Sequence, residues 1–95
     1  MSGVTARLPH VELFTHPVCR GCREASLALG RLAEAGALEL VTWSLAVPPG
    51  RARALEAGVS TVPTVLVGAT RRSLDTREAL DALLHDLRTG RPGSG

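Results

Sequence analysis

Two hydrophobic periods alternate along this chain, and that alternation restricts it to a layered α/β architecture. Val11-Glu12-Leu13-Phe14-Thr15 reads as a short strand, and His16-Pro17 closes it because proline has no N–H to give to a sheet. From Arg20 to Ala35 the spacing lengthens to three and four, with Cys22, Ser26, Leu29, Leu32 and Ala33 on one stripe and Gly36 as the stop. Leu38 to Leu45 returns to strand alternation, with Leu38, Leu40 and Thr42 on one face and Val41, Trp43 and Leu45 on the other. Pro48-Pro49-Gly50 is expected to break the chain before a short helix through Ala52 and Leu55, which stops at Gly58. Thr64-Val65-Leu66-Val67 is a third strand, and Gly68-Ala69 turns into a fourth around Thr70 to Ser73. Leu80, Leu83, Leu84 and Leu87 form the stripe of a last helix, with Asp75 and Glu78 as a capping-box-like start. The order β-α-β-α-β-β-α predicts a mixed four-stranded sheet with helices on both faces. Its first and third strands are expected to run parallel at the centre, and a hairpin to end the sheet.

Length allows one core and no more: 95 residues are expected to divide into an N-terminal arm (1–9), one domain (10–88) and a C-terminal tail (89–95). With 44% hydrophobic and 21% charged residues, the chain falls in the range of ordered globular proteins rather than disordered ones. No apolar run approaches the roughly 20 residues that cross a bilayer. Met1 to His10 lacks the apolar stretch of a secretion signal, so the expectation is a cytoplasmic protein without membrane attachment. The net charge is +2, every basic residue is Arg, and no basic run is present. Only Trp43 and Phe14 could stack on bases, so no nucleic-acid partner is expected. Trp43, Leu29 and Leu84 read as core.

The chemistry concentrates at Cys19-Arg20-Gly21-Cys22, between a strand and the start of a helix. A helix N-terminus offers unpaired N–H groups and the positive end of the macrodipole, and both favour thiolate over thiol. Arg20 and Arg23 add positive charge as candidate thiolate-stabilising residues. Cys19, at the outer lip, is then the candidate nucleophile, and Cys22, one turn in, the candidate resolving thiol that closes the Cys19–Cys22 disulfide. Gly21 is expected to permit the tight approach of this ring. Other readings of the pair stay open. A structural disulfide would constrain so short a loop little. A zinc site needs four ligands, and beyond His16 only the scattered His10 and His85 remain. Soft-metal binding or transfer needs only the two thiolates and is the alternative function. An interaction module with idle cysteines is the blandest.

Together with the Cys pair, Gly58-Val59-Ser60-Thr61-Val62-Pro63-Thr64 resembles the thioredoxin superfamily, in motif and in element order, over residues 10–88. The resemblance implies a thioredoxin-like three-layer fold and thiol–disulfide oxidoreductase activity. It also implies a cis bond before Pro63 and a substrate-binding loop of Thr61, Val62 and Pro63, with the Val62 backbone pairing to an extended substrate. Copper chaperones also place C-x-x-C after their first strand, but their order ends on a strand and this one ends on a helix.

Phe14-Thr15-His16-Pro17-Val18-Cys19 is similar to the glutaredoxin pattern of aromatic, Ser/Thr, basic, Pro, any residue, Cys. Thioredoxins usually carry Trp where this chain has Val18, and a buried acid near the position of Leu13. The resemblance therefore points to a glutaredoxin-like small redoxin, in which protonated His16 would steady the thiolate. Glutaredoxins usually have Gly-Gly and acidic residues before the last helix, where this chain has Ser73-Leu74-Asp75. Asp75 reads as a helix cap ahead of a glutathione contact. The implied partners are a disulfide-containing protein or small molecule and an electron donor, with glutathione or a thioredoxin-type reductase as candidates. No bound cofactor or metal is expected, and the protein is expected to be a monomer.

Overall fold

A computed structural model describes residues 8–89. The elements follow the order β1 (His10–Thr15), α1 (Arg20–Glu34), β2 (Glu39–Ser44), α2 (Pro48–Ala57), β3 (Thr64–Val67), β4 (Thr70–Ser73) and α3 (Arg77–Thr89). The expected arm and tail lie outside the described residues, apart from Leu8 and Pro9 before β1 and Thr89, which ends α3.

The sheet has the order β2-β1-β3-β4. β1 and β2 are parallel in register from His10↔Glu39 to Thr15↔Ser44. β1 and β3 do occupy the centre, but they run antiparallel, with Phe14 opposite Thr64, which corrects the expectation of a parallel pair. The reason is the connection between β2 and β3, which leaves the sheet at Ser44 and re-enters at Thr64 at the same end. Gly58, in the left-handed region at φ 71, ends α2, and the Val59 N–H folds back onto the Ala54 carbonyl at 2.8 Å. Side-chain alternation reads the same from either end of a strand, so it carries no direction. β4 closes the sheet as an antiparallel hairpin partner of β3.

Two helix starts also differ from expectation. Pro48-Pro49-Gly50 lies within the first turn of α2 instead of preceding it, because an N-terminal turn has no use for the N–H groups that proline lacks. Gly50 is buried there, and a Cβ would collide with the Ser44 carbonyl, so α2 can lie on the end of β2 only with glycine at this position. In α3 the cap is Thr76, whose Oγ1 accepts the Ala79 N–H at 3.0 Å, and the Asp75 carboxylate makes no hydrogen bond or ion pair among the described residues.

The strands divide their side chains between two clusters. Val11, Leu13, Val65 and Val67 pack with Ala25 and Leu29 of α1 and with Leu80, Leu83 and Leu87 of α3. Phe14 and Leu66 face the opposite layer, with Ala54 of α2, Val59 and the partly buried Trp43. The result is three layers, with α1 and α3 on one face of the sheet and α2 on the other. No helix among the described residues is long and apolar enough to cross a membrane.

Candidate active site

The end of the sheet that carries Thr15, Ser44 and Thr64 also carries the cysteine pair. After β1 the chain turns through His16-Pro17-Val18, and the Cys19 N–H reaches the His16 carbonyl at 3.0 Å. This turn delivers Cys19 to the N-cap position of α1 in extended backbone geometry (φ −92, ψ 118). Its sulfur accepts the backbone N–H of Cys22 at 3.2 Å, the part that an Asp or Ser oxygen plays at other helix starts. Cys19 and Cys22 form a disulfide with a Cα–Cα separation of 5.3 Å. The two sulfurs have different surroundings: Cys19 is half-buried, whereas Cys22 is 4% exposed.

An open cleft of about 230 Å³ lies beside the disulfide, walled by His16, Pro17, Arg23, Ser26 and Ser44 among others. None of its lining residues is acidic. Arg23 is exposed at its edge, and Arg20 is exposed at the first position of α1 but does not line the cleft. Neither guanidinium has a partner among the described residues. His16 Nδ1 accepts the Val18 N–H at 3.3 Å, which holds the ring against the turn before Cys19.

The Thr61–Pro63 loop lies against the first turn of α1. The Val62–Pro63 peptide bond is cis, and Pro63 is buried. A Cβ built on Gly21 would sit 3.4 Å from Pro63 Cγ and 3.9 Å from the Leu74 carbonyl oxygen. That is ordinary contact distance, and Gly21 is not among the positive-φ glycines, so neither backbone conformation nor crowding demands glycine there, contrary to expectation. The Pro63 carbonyl accepts the Leu74 N–H at 2.8 Å, and the Thr61 carbonyl accepts the Thr64 hydroxyl at 2.8 Å. Val62 is half-buried against the α2-side core, and its backbone N–H and C=O make no hydrogen bond among the described residues.

Two solved structures share this arrangement of layers. One is a crystal structure of a protein from Agrobacterium tumefaciens, with 20% identity, coverage of 94% of this chain and 50% of that one, and a TM-score of 0.61. The other is the J-Trx1 fragment of ERdj5, with 15% identity, coverage of 88% and 42%, and a TM-score of 0.62. The fold is thioredoxin-like. This chain spans half the length of the first of these chains and 42% of the second, and at such identities the likeness is one of fold. No family model matches the sequence, and no curated protein matches it. The protein thus combines a thioredoxin-like fold with a C-x-x-C pair whose two cysteines are joined as a disulfide.

Three residues of the site were not legible beforehand. Ser26 looked like part of the buried stripe of α1, yet it lines the cleft. Ser44 also lines it, because the parallel register sets it beside Thr15. Gly50 supports Ser44 from below and looked like a chain breaker. The signal for Ser44 was its place at the end of β2, usable once the pairing of β1 with β2 is known.

Proposed function

We propose that this protein is a thiol–disulfide oxidoreductase in which Cys19 attacks and Cys22 resolves. The observation that carries the reading is the asymmetry of the pair. The accessible sulfur sits at the N-cap of α1 with an N–H directed at it, and the covered sulfur lies one turn inside. A helix terminus favours negative charge on a sulfur placed there, so on this reading Cys19 is the sulfur that attacks as thiolate.

In the reducing direction the Cys19 thiolate attacks one sulfur of a substrate disulfide. A mixed disulfide forms and the other substrate sulfur leaves as thiolate. Cys22, losing its proton, then attacks Cys19 Sγ and expels the second substrate thiolate. Two electrons pass to the substrate and the protein is left as the Cys19–Cys22 disulfide. A thiol donor reverses the sequence on the protein. The backbone of Val62, unpaired among the described residues, supports an extended substrate pairing there, with Thr61 and Pro63 shaping the loop. Arg20 and Arg23 contribute positive potential, and His16 adds to it when protonated.

Within the superfamily, the 14–19 segment supports a glutaredoxin-like redoxin, and the proposal takes it to act as a monomer in the cytoplasm. The Asp75 carboxylate, without a partner among the described residues, keeps glutathione as a candidate donor beside a thioredoxin-type reductase. The test is a disulfide-reduction assay run in parallel with glutathione plus its reductase and with thioredoxin reductase plus NADPH. Activity with either donor is expected to vanish in Cys19→Ser, and Cys22→Ser is expected to accumulate a mixed disulfide. Full activity in both variants would refute the proposal. Stoichiometric copper or zinc on the purified protein, with no reductase activity, would favour metal transfer instead.

A further inference from the structure

Behind the Thr61–Pro63 loop, on the α2 face of the β3–β4 hairpin, lies a second cleft of about 290 Å³. Gly58, Ser60, Thr61, Thr64, Arg71 and Ser73 contribute to its lining, and no acidic residue does. Strand register places its contents: Arg71 pairs with Leu66 and Ser73 with Thr64, so both lie on the side of the sheet where Leu66 meets α2.

The arginine is held in a specific way. Its Nη1 donates to the Gly58 carbonyl at the end of α2. A Cβ at position 58 would come within 2.6 Å of that same nitrogen, so glycine makes room for the guanidinium as well as for the left-handed turn at φ 71. A cation over exposed helix carbonyls is a favourable cap, and this accounts for one N–H. A guanidinium has five N–H donors in a fixed fork, so four are without a partner among the described residues. Among the described residues no carboxylate lies within ion-pair distance of Arg71, although Arg53, Arg72 and Arg77 each have at least one. The Ser60 and Ser73 hydroxyls likewise make no hydrogen bond among the described residues. Thr64 gives its proton to the Thr61 carbonyl, and the two threonine hydroxyls lie 3.5 Å apart. The cleft therefore holds one fixed positive charge, hydroxyls able to donate, and no carboxylate in its lining.

Such a set matches a carboxylate, which accepts from a guanidinium and from hydroxyls at once. Thr61 belongs both to this cleft and to the loop whose next residue, Val62, has an unpaired backbone. A chain added as a strand at Val62 projects its side chains alternately to either side, which brings one of them toward the cleft. We propose that this cleft is a specificity subsite, in which Arg71 receives the side-chain carboxylate of an acidic residue near the reacting cysteine of a protein substrate. The proposal rests on the oxidoreductase reading above and names a feature of its substrate.

The test uses the full chain and a set of peptide disulfides that differ only at one position. Glu, Gln or Lys is placed in turn at each of the three residues on either side of the cysteine. For at least one position, kcat/KM is expected to fall in the order Glu, Gln, Lys. The Glu-to-Gln ratio should be about fivefold, the size expected of a solvent-facing charge pair with charge-assisted hydrogen bonds, and should lie mainly in KM. The ratio is expected to collapse toward one in Arg71→Gln, to persist in Arg71→Lys, and to invert in favour of Lys in Arg71→Glu. Equal rates for the three peptides at every position would overturn the subsite while leaving the oxidoreductase reading intact. So would a Glu preference that survives Arg71→Gln. A lowered Tm in Arg71→Gln with selectivity unchanged would reduce Arg71 to a cap on α2. If the wild-type protein reduces none of the peptides, the oxidoreductase reading fails first and the subsite with it.

Discussion

The two faces of the sheet are held by different forces. Toward α1 and α3 the buried core is apolar, with Val11, Leu13, Leu29, Val65 and Leu83 fully buried, and the Arg72–Asp86 ion pair between β4 and α3 lies at its part-exposed edge. Toward α2 the buried neighbours of Phe14 include Glu12, only 8% exposed. Arg53 donates to both of its carboxylate oxygens, at 2.7 and 2.8 Å, and the Trp43 indole N–H adds a third bond at 2.9 Å. The contrast follows from the helices. α1 and α3 present continuous apolar stripes. α2 buries only Gly50 and Ala54 and leaves Leu55 83% exposed, so apolar burial alone supplies little to hold it. A bidentate charge-assisted pair fixes α2 where hydrophobic contact does not. The functional consequence is a division of labour: the helix that carries the cysteines rests on the apolar face, and α2, whose first turn backs Ser44, is held by a network that titrates.

The largest effect is expected on the apolar face. Leu83→Ala should cost about 3 kcal/mol by urea denaturation, since the cavity adds to the lost transfer energy. A loss well below 1 kcal/mol would break the contrast. On the other face, Glu12→Gln should cost about 2 kcal/mol, because it removes the charge and strands donors built to meet a carboxylate. Replacing both partners, Glu12→Leu with Arg53→Met, should recover part of that loss, because no buried charge is then left without its partner, and the Glu56 carboxylate that also loses Arg53 is exposed. If the double variant is worse than the sum of its parts, the network is not what holds α2.

A pH titration sharpens the same point. The Arg53 hydrogen bond holds the Glu12 carboxyl below its ordinary range; burial opposes this and the Trp43 bond adds to it. A carboxyl depressed in the folded state contributes stability above its unfolded value, near 4.5, and that contribution is lost as pH falls through the folded value. Tm should therefore drop more steeply below pH 4.5 in the wild type than in Glu12→Gln. Parallel curves would remove Glu12 from the acid response. The smallest effect concerns helix starts. Thr76→Ala should cost about 1 kcal/mol through the lost cap on α3. Asp75→Ala should cost clearly less, because the Asp75 carboxylate makes no hydrogen bond among the described residues.

These contrasts mark where the sequence could be read. The apolar stripes of α1 and α3 and the alternation in β1, β2 and β3 are local patterns, and they disclosed the elements and the apolar face. The strand–helix junction likewise placed Cys19 at a helix start, because the cap is a matter of neighbouring residues. The rest depends on long-range pairing. Glu12 meets Arg53 across 41 positions, and no local pattern joins an acid in one strand to an arginine in a later helix. The direction of β3 follows from where Gly58 sends the chain. Thr76 outcompetes Asp75 as the cap because the first turn of α3 begins one residue later than the Asp75–Glu78 spacing suggested.

The most direct test of the central claim is alkylation of the reduced protein by iodoacetamide across pH, with the modified cysteine identified by mass spectrometry. Cys19 is expected to react first, with a midpoint below the ordinary thiol value of about 8.5, while Cys22 stays protected. Equal modification of the two cysteines, prior modification of Cys22, or a midpoint for Cys19 at or above about 8.5 would contradict the assignment of nucleophile and resolving thiol.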